Sequence, residues 1–476
     1  MKYLCPVCNT GYPKNVIKCD VCDFADDLRI NREWPIAEDA EKWLNTVVKP
    51  YRVQWLSRLI SQAVSFREKK EYDEFINLIT EIIRFKSDIP LAFYLRGTAY
   101  NEIKHYDEAI RDFTEVIRLL ELQVKMYKER GFFPDKDEVN ENLSNAFPGS
   151  RWYYDTIYFS RALAYFKNGQ YNEAINDFSK IIKDKPDNDI FYLLRGRAYL
   201  HKGEYDLAIT DFNENIRLER NSGNTYIDRG HAYFQKGDYD KAIADYNEAI
   251  RVGSADINLF YRRGRAYFEK GVADLAIADF SEVIRLEPDN VSAYILRGCT
   301  YLDGIEDVDR ATADFNEAIR LDPDIGYAYL KRGIAYFRKS EYDRALLDFN
   351  KGIQLEPNNV EMYLTRGMIY QHMEGLDQAI VDFSTAIHLA PNNEDLYIHR
   401  GIAYRQNDDF DNAIADYNKS IQLNPNDGGV YNQRGIVYHN KGNINQAIAD
   451  YETALRIEPN NATYKQNLEM AKQAKR

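Results

Sequence analysis

The stretch YLLRGRAYLHKGEYDLAITDF, Tyr192 to Phe212, sets an arginine before a glycine (Arg195, Gly196) and an aspartate before an aromatic (Asp211, Phe212). Nearly the same pattern recurs nine more times. Aligned on Gly196, the anchors are Gly97, Ala162, Gly196, Gly230, Gly264, Gly298, Gly333, Gly367, Gly401 and Gly435. From Ala162 onward the step is 34 residues, except for one of 35 between Gly298 and Gly333. The extra residue lies in YLDGIEDVDRA, where a turn between two helices can absorb it. Gly97 to Ala162 is one period plus an insertion of 31 residues. One period before Gly97 stands Ala63, in a degenerate eleventh unit of the kind expected at the end of an array.

Each unit reads as two helices. In helix A, Tyr192, Gly196 and Tyr199 share one face. A Lys-Gly turn follows, Lys202 and Gly203. In helix B, Ala208, Phe212 and Ile216 form the inner face. Many units end in Pro-Asn or Pro-Asp, and proline, which lacks an amide hydrogen, stops helix B. The anchor glycine, without a Cβ, lets the two helices approach closely.

Period, small residue, tyrosine, alanine, aromatic and proline together resemble the tetratricopeptide repeat (TPR). The resemblance covers roughly residues 55–460. It implies an all-α fold, a right-handed TPR superhelix of about ten or eleven helix-turn-helix repeats, whose helix A residues line a concave groove that commonly binds peptides or protein segments. The expected organisation is 1–33, a zinc-ribbon-like segment; 34–54, a linker and N-terminal capping helix; 55–120, two units, the first degenerate; 121–154, an extended helix and aromatic-rich insertion; 155–460, nine consecutive units; and 461–476, a C-terminal capping helix. The insertion holds Phe132, Phe133, Phe147, Trp152 and Tyr153, so it either folds back on the repeats or binds a partner.

The residue before the anchor is arginine in all ten units, and the residue before the helix B aromatic is aspartate in all ten. The pairs include Arg195 with Asp211, Arg229 with Asp245 and Arg263 with Asp279. Arginine's planar fork can hold a carboxylate through two hydrogen bonds. Ten equal copies favour a structural ion-pair ladder, since catalysis needs one asymmetric site. Spacing leaves open whether a pair closes within a unit or across neighbours. The TPR family more often has leucine at the arginine position.

The N-terminal CPVCNTGYPKNVIKCDVC places Cys5, Cys8, Cys19 and Cys22 as two CxxC pairs ten residues apart. Four thiolates at this spacing suit tetrahedral Zn²⁺, with no open position for catalysis. The segment resembles a short zinc ribbon, with Asn9 and Asp23 where that family usually has glycine. Redox CxxC pairs are the alternative. Cys299 lies on a repeat helix and reads as a small packing residue.

The units differ at the positions that line the groove in the TPR family, which are −6, −3, +1 and +4 from the anchor. Candidate partner-binding residues there are Arg197, Leu200, His231, Phe234, Tyr261, Arg265, Phe268, Leu302, Leu330, Phe337 and Arg405. Aromatics at +4 either pack on neighbouring repeats or offer pockets, and embedded arginines can recognise carboxylates.

The chain has 476 residues, 37 of them tyrosine, and a formal net charge of −13. That charge argues against a general nucleic-acid or anionic-membrane binder. The start, MKYLCPVCNT, has no apolar signal core and no apolar run is long enough to span a bilayer, so the cytoplasm is the expected compartment. No P-loop, HExxH or nucleophile elbow occurs, and the seven histidines are scattered, with His372 and His399 reading as helix-surface residues. The expected function is a non-catalytic protein–protein interaction scaffold with a structural zinc site and a protein or peptide ligand. The alternatives are a nucleic-acid-associated regulator using the zinc ribbon, or a non-catalytic subunit of an enzyme complex.

Overall fold

The computed structural model describes residues 3–4, 11–12, 71–85, 87, 90–129, 150–218, 223–253 and 256–475. Cys5, Cys8, Cys19 and Cys22, the capping helix expected near 37–49 and residues 130–149 of the insertion lie outside the described residues. The chain divides into two compact units, Met1–Ser254 and Ala255–Arg476.

The first unit opens with two short antiparallel strands, β1 (Tyr3–Leu4) and β2 (Gly11–Tyr12), with Tyr3 opposite Tyr12. Helices follow: α1 (Tyr72–Phe85), α2 (Pro90–Glu102), α3 (Tyr106–Glu129), α4 (Ser150–Lys167), α5 (Tyr171–Asp184), α6 (Asp189–Lys202), α7 (Tyr205–Leu218), α8 (Gly223–Gln235) and α9 (Tyr239–Arg251). α3 runs 24 residues where α7 runs 14, so helix B continues into the insertion.

The second unit holds α10 (Ile257–Lys270), α11 (Ala273–Leu286), α12 (Val291–Cys299), α13 (Val308–Leu321), α14 (Gly326–Arg338), α15 (Tyr342–Leu355), α16 (Val360–His372), α17 (Leu376–Leu389), α18 (Glu394–Gln406), α19 (Phe410–Leu423), α20 (Gly428–Asn440), α21 (Ile444–Ile457) and α22 (Ala462–Ala474). Within each of the two units, each described A helix packs on its own B helix, and each B helix on the next A helix.

The opening stretch shows why these pairs form. The Asn188 side chain accepts from Ile190 N and caps the start of α6. Gly203 ends it at φ +79°, where its amide donates to Leu200 O and that of Glu204 to Tyr199 O. A Cβ on Gly196 would lie 2.7 Å from Phe212 Cε1, so the glycine permits the A–B contact. Ala208 and Phe212 are fully buried with Ala232 of the next helix A. Ile216 is only half-buried, and it is the neighbouring Asn215 that is fully enclosed. Asn215 Nδ2 donates to Asp189 O at 2.8 Å, and Thr225 Oγ1 donates to Asn215 Oδ1 at 2.6 Å. A polar side chain is stable there because both ends of its amide are bonded.

The 35-residue unit departs from expectation. Its extra residue is absorbed in a π-helical turn, Thr300–Gly304, that continues α12. The A–B turn stays short, and the ladder pair Arg297–Asp314 is spaced 17 residues apart rather than 16. The π turn holds Leu302 fully buried. Arg338 caps the turn: its Nη1 donates to Leu302 O at 2.6 Å and its Nη2 to Asp303 Oδ1 at 2.7 Å. With the helix widened by one residue, Tyr301 and Leu302 are in the core.

The last helix, α22, packs on α21 and buries Tyr464 and Ala471.

Candidate functional site

The arginine ladder closes within each unit. Arg195 Nε donates to Asp211 Oδ2 at 2.8 Å, and Nη2 to Oδ1 at 2.7 Å. Arg229–Asp245 and Arg263–Asp279 repeat the same fork. Burial pulls Arg195 down, but the hydrogen bond and charge of Asp211 outweigh it and hold the guanidinium above its ordinary value. Burial pushes the Asp211 carboxyl up against the pull of Arg195. Tyr192 and Tyr199 flank the guanidinium at 5.8 and 6.0 Å. Such tyrosines recur around the other ladder arginines, as at Arg332 and Arg434. They account for much of the chain's tyrosine.

A third contact is invisible to the pairwise reading. Arg195 Nη1 donates to Ser179 Oγ of the preceding repeat at 3.0 Å. Arg229 reaches Asn213, Arg332 reaches Asn316 and Arg400 reaches Ser384 in the same way. Each of these four arginines thus closes its own helix pair and fastens it to the previous one. The signal was present in the sequence: the residue after Asp-aromatic is Ser, Thr or Asn in nine units and Glu452 in the last. In that last unit Lys472 of α22 lies 3.0 Å from Glu452 instead.

The candidate groove residues separate into three groups. Leu302 and Leu330 are fully buried, 0% and 1% exposed, so neither can meet a partner; Leu302 is held in by the π turn, and Leu330 lies in the core with Ala345, Phe349 and Met362. Leu200, His231, Phe234, Tyr261, Phe268 and Phe337 are half-buried. They join the packing between repeats and keep an exposed edge. Phe234 lies 5.5 Å from Tyr239, Tyr261 meets Phe280 edge-on at 6.2 Å, and Phe337 lies 5.9 Å from Tyr342. His231 Nε2 is 3.0 Å from Gln235 Nε2.

The charged group divides. Arg197 Nε donates to Asp228 Oδ2 at 2.6 Å, so its charge is already matched by the next helix A. Arg265 is exposed. Arg405 is half-buried, has no ion pair among the described residues, and buries its Nε without a hydrogen bond.

His372 is exposed, its ring 5.0 Å from Tyr342. His399 differs from expectation: it is half-buried against Phe383 at 5.8 Å, and burial lowers its pKa, opposed by Asp395. The Cys299 thiol is 3% exposed and burial pushes its pKa up to about 11, which keeps it protonated and unreactive. Among the described residues no cluster of His, Cys, Asp and Glu could hold a metal. No described helix is long and apolar enough to cross a membrane.

Sequence profiles of the tetratricopeptide repeat match residues 91–119, 159–221, 257–290, 291–325, 326–359, 364–428 and 400–473, and a TPR repeat profile matches 230–271. Together they span well over half of the chain. No curated protein matches it. Among solved structures, the chain is similar to a tetratricopeptide repeat protein from Parabacteroides merdae, at 20% identity over 52% of this chain and 98% of that one, TM-score 0.42. It is similar to the APC/C hetero-tetramer Cut9-Hcn1, at 17% identity over 96% and 93%, TM-score 0.41. It is also similar to YrrB, described as a TPR protein with an unusual peptide-binding site, at 22% identity over 39% and 95%, TM-score 0.35.

Proposed function

Because the chain belongs to the tetratricopeptide repeat family, we propose that it is a non-catalytic scaffold that holds a protein or peptide segment against the helix A faces of its repeats. One observation carries this reading. The ladder positions are the same in every unit, whereas the +1 and +4 positions of helix A differ and keep apolar edges open to solvent, as at Leu200, Phe234, Phe268 and Phe337. Repetition is what stacking requires, and variation with exposed apolar surface is what recognition requires. Arg197 contributes to such a surface as half of a pair with Asp228, so an acidic ligand there has to displace Asp228. The test is capture of partners by the full chain and by a Leu200→Asp, Phe234→Asp double variant. Loss of specific partners is expected. An unchanged partner set with a folded variant would overturn the reading.

We also propose that Cys5, Cys8, Cys19 and Cys22 hold a structural Zn²⁺. The donor set supports it: two CxxC pairs supply four thiolates and leave no site for a substrate. Tyr3–Leu4 pairs antiparallel with Gly11–Tyr12, and the first CxxC lies between them in the sequence, as a thiolate knuckle requires. Metal analysis of the purified chain should give one zinc per molecule. Cys5→Ser with Cys19→Ser should abolish it. A metal-free protein, or two disulfides in its place, would refute the site.

A further inference from the structure

The B helices of the second unit carry a surface that neither the ladder nor the helix A positions explain. One residue before each ladder aspartate stand Ala278, Ala313, Leu347, Val381, Ala415 and Ala449, all exposed. Leu347 on α15 and Val381 on α17 are 69% and 63% exposed, the two most exposed large apolar side chains among the described residues. Around these two, the ion pairs that neutralise other B helices are missing. Glu282–Arg285 closes on α11 and Glu317–Arg320 on α13, both at 2.6 Å. The same two positions hold Lys351 and Gln354 on α15, Thr385 and His388 on α17, and Lys419 and Gln422 on α19. At the start of the B helices, Lys339 reaches Asp309 of α13 at 2.8 Å, and Lys441 reaches Asp411 of α19. The two intervening repeats have Met373 and Asn407 in place of that lysine. Asp343 on α15 and Asp377 on α17 are accordingly exposed and make no ion pair among the described residues. Lys351 makes none either, and Lys419 donates to the neutral Gln422 at 3.1 Å.

Residues four apart lie one turn apart on the same helix face. Each of three successive B helices therefore presents an acid, an apolar side chain and a base or hydroxyl in equal steps. The sets are Asp343, Leu347 and Lys351 on α15; Asp377, Val381 and Thr385 on α17; and Asp411, Ala415 and Lys419 on α19. Acid and base stand about 6 Å to either side of the apolar row, four residues at ~1.5 Å each. A half-turn about an axis along that row exchanges the two edges. The face is thus its own complement. A second copy laid on it with B helices antiparallel sets Leu347 on Leu347, Asp343 on Lys351 and Lys351 on Asp343. With the helices parallel, acid meets acid. On α13 the third position is Glu317, which an antiparallel copy sets against Asp309, so the match ends there.

We propose that α15, α17 and α19 form a two-fold interface between two copies of this chain, antiparallel across the row of Leu347 and Val381. An exposed apolar patch marks a contact surface. The charges select its occupant: acids and bases left unpaired within one copy are placed to pair with those of a second, and each contact occurs twice, as an isologous interface requires. The interface uses none of the helix A positions assigned to a ligand, so it stands apart from the scaffold reading above. Three helix faces make a small contact, at the low end of specific interfaces, so the dimer is concentration-dependent.

The test is sedimentation velocity of the full chain over a series of protein concentrations, where a reversible monomer–dimer equilibrium is expected. Leu347→Ser removes an apolar side chain from each copy and should weaken the dimer at least about tenfold. Asp343→Lys sets lysine against lysine twice, and Lys351→Asp sets aspartate against aspartate twice. Each alone should weaken the dimer about tenfold or more. Mixed in equal amounts, these two charge variants should associate with each other about as tightly as the unaltered chain does with itself, because every facing pair is again of opposite sign. That recovery also shows that both variants are folded. A chain that stays monomeric at every concentration, its face free or covered by another protein, overturns the proposal. So does a dimer that Leu347→Ser leaves intact, or a mixture of the two charge variants that restores nothing. Partner capture through Leu200 and Phe234 is unaffected by any of these outcomes, so the scaffold reading stands or falls separately.

Discussion

Breaking the Arg195–Asp211 pair from one side should cost more than removing it whole. Asp211→Leu strands Nε and Nη2, which give up bonds of 2.8 and 2.7 Å. Two hydrogen bonds to charged groups are worth about 1.5–3 kcal/mol each. Breaking a buried pair from one side costs about 3–5 kcal/mol. The guanidinium side chain is 18% exposed and can recover some water, which brings the expected cost to about 3 kcal/mol. Replacing both partners with leucine leaves no stranded charge. It loses the Nη1–Ser179 bond, about 1 kcal/mol, and the guanidinium's contacts with Tyr192 and Tyr199, and is otherwise near neutral. The double variant should therefore be more stable than either single variant.

Stability in a repeat array is local, so the readout is native-state hydrogen exchange of α6 and α7 amides. A loss of about 3 kcal/mol speeds exchange roughly a hundredfold. A pH arm fixes the cause. Burial already holds the Asp211 carboxyl above its ordinary value, and Arg195 opposes that rise. Arg195→Leu removes the opposition, so the folded-state value climbs further above the unfolded one. A group with a raised folded-state value favours the native state when protonated. The defect of Arg195→Leu should accordingly shrink as pH falls toward the ordinary carboxylate range and grow as pH rises through the raised value. Single and double variants of equal cost, or a defect independent of pH, would refute the reasoning.

Three further outcomes follow from the same geometry. Gly196→Ala puts a Cβ 2.7 Å from Phe212 Cε1 and should destabilise α6–α7 by about 1–3 kcal/mol in urea-dependent exchange; a neutral result would mean that Phe212 can shift. Glu374 ends its helix at φ +62° where Gly203 does the same work at +79°, so Glu374→Gly should stabilise its repeat by up to about 1 kcal/mol, against a loss if the turn is unstrained. His399 has a pKa lowered first by burial, so its neutral form is favoured when folded; its NMR titration should fall below the ordinary histidine value, and stability at α18 should drop as pH falls below that value, an effect absent in His399→Gln.

The helix pairs, their order and the ladder were legible in the sequence because each depends on a residue's own unit. A 34-residue period, an anchor that only a small side chain fits and a proline after helix B are local requirements, and ten copies make them plain. Even the Ser179-type contact left a mark, as Ser, Thr or Asn after every Asp-aromatic but the last. The single departures were not legible. The added residue near Leu302 could lengthen a turn or widen a helix, and packing of Tyr301 and Leu302 decided for the helix.

The candidate surface divides in the same way. The sequence by itself determined which positions vary, and so where recognition can sit. Only the tertiary structure decided what each does. Arg197 and Arg405 are the same residue type on the same face, yet Asp228 lies within 2.6 Å of Arg197 and no carboxylate pairs with Arg405 among the described residues. That difference depends on which neighbouring helix brings a carboxylate within hydrogen-bonding reach. It is set by the packing of one repeat on the next, and the period does not encode it.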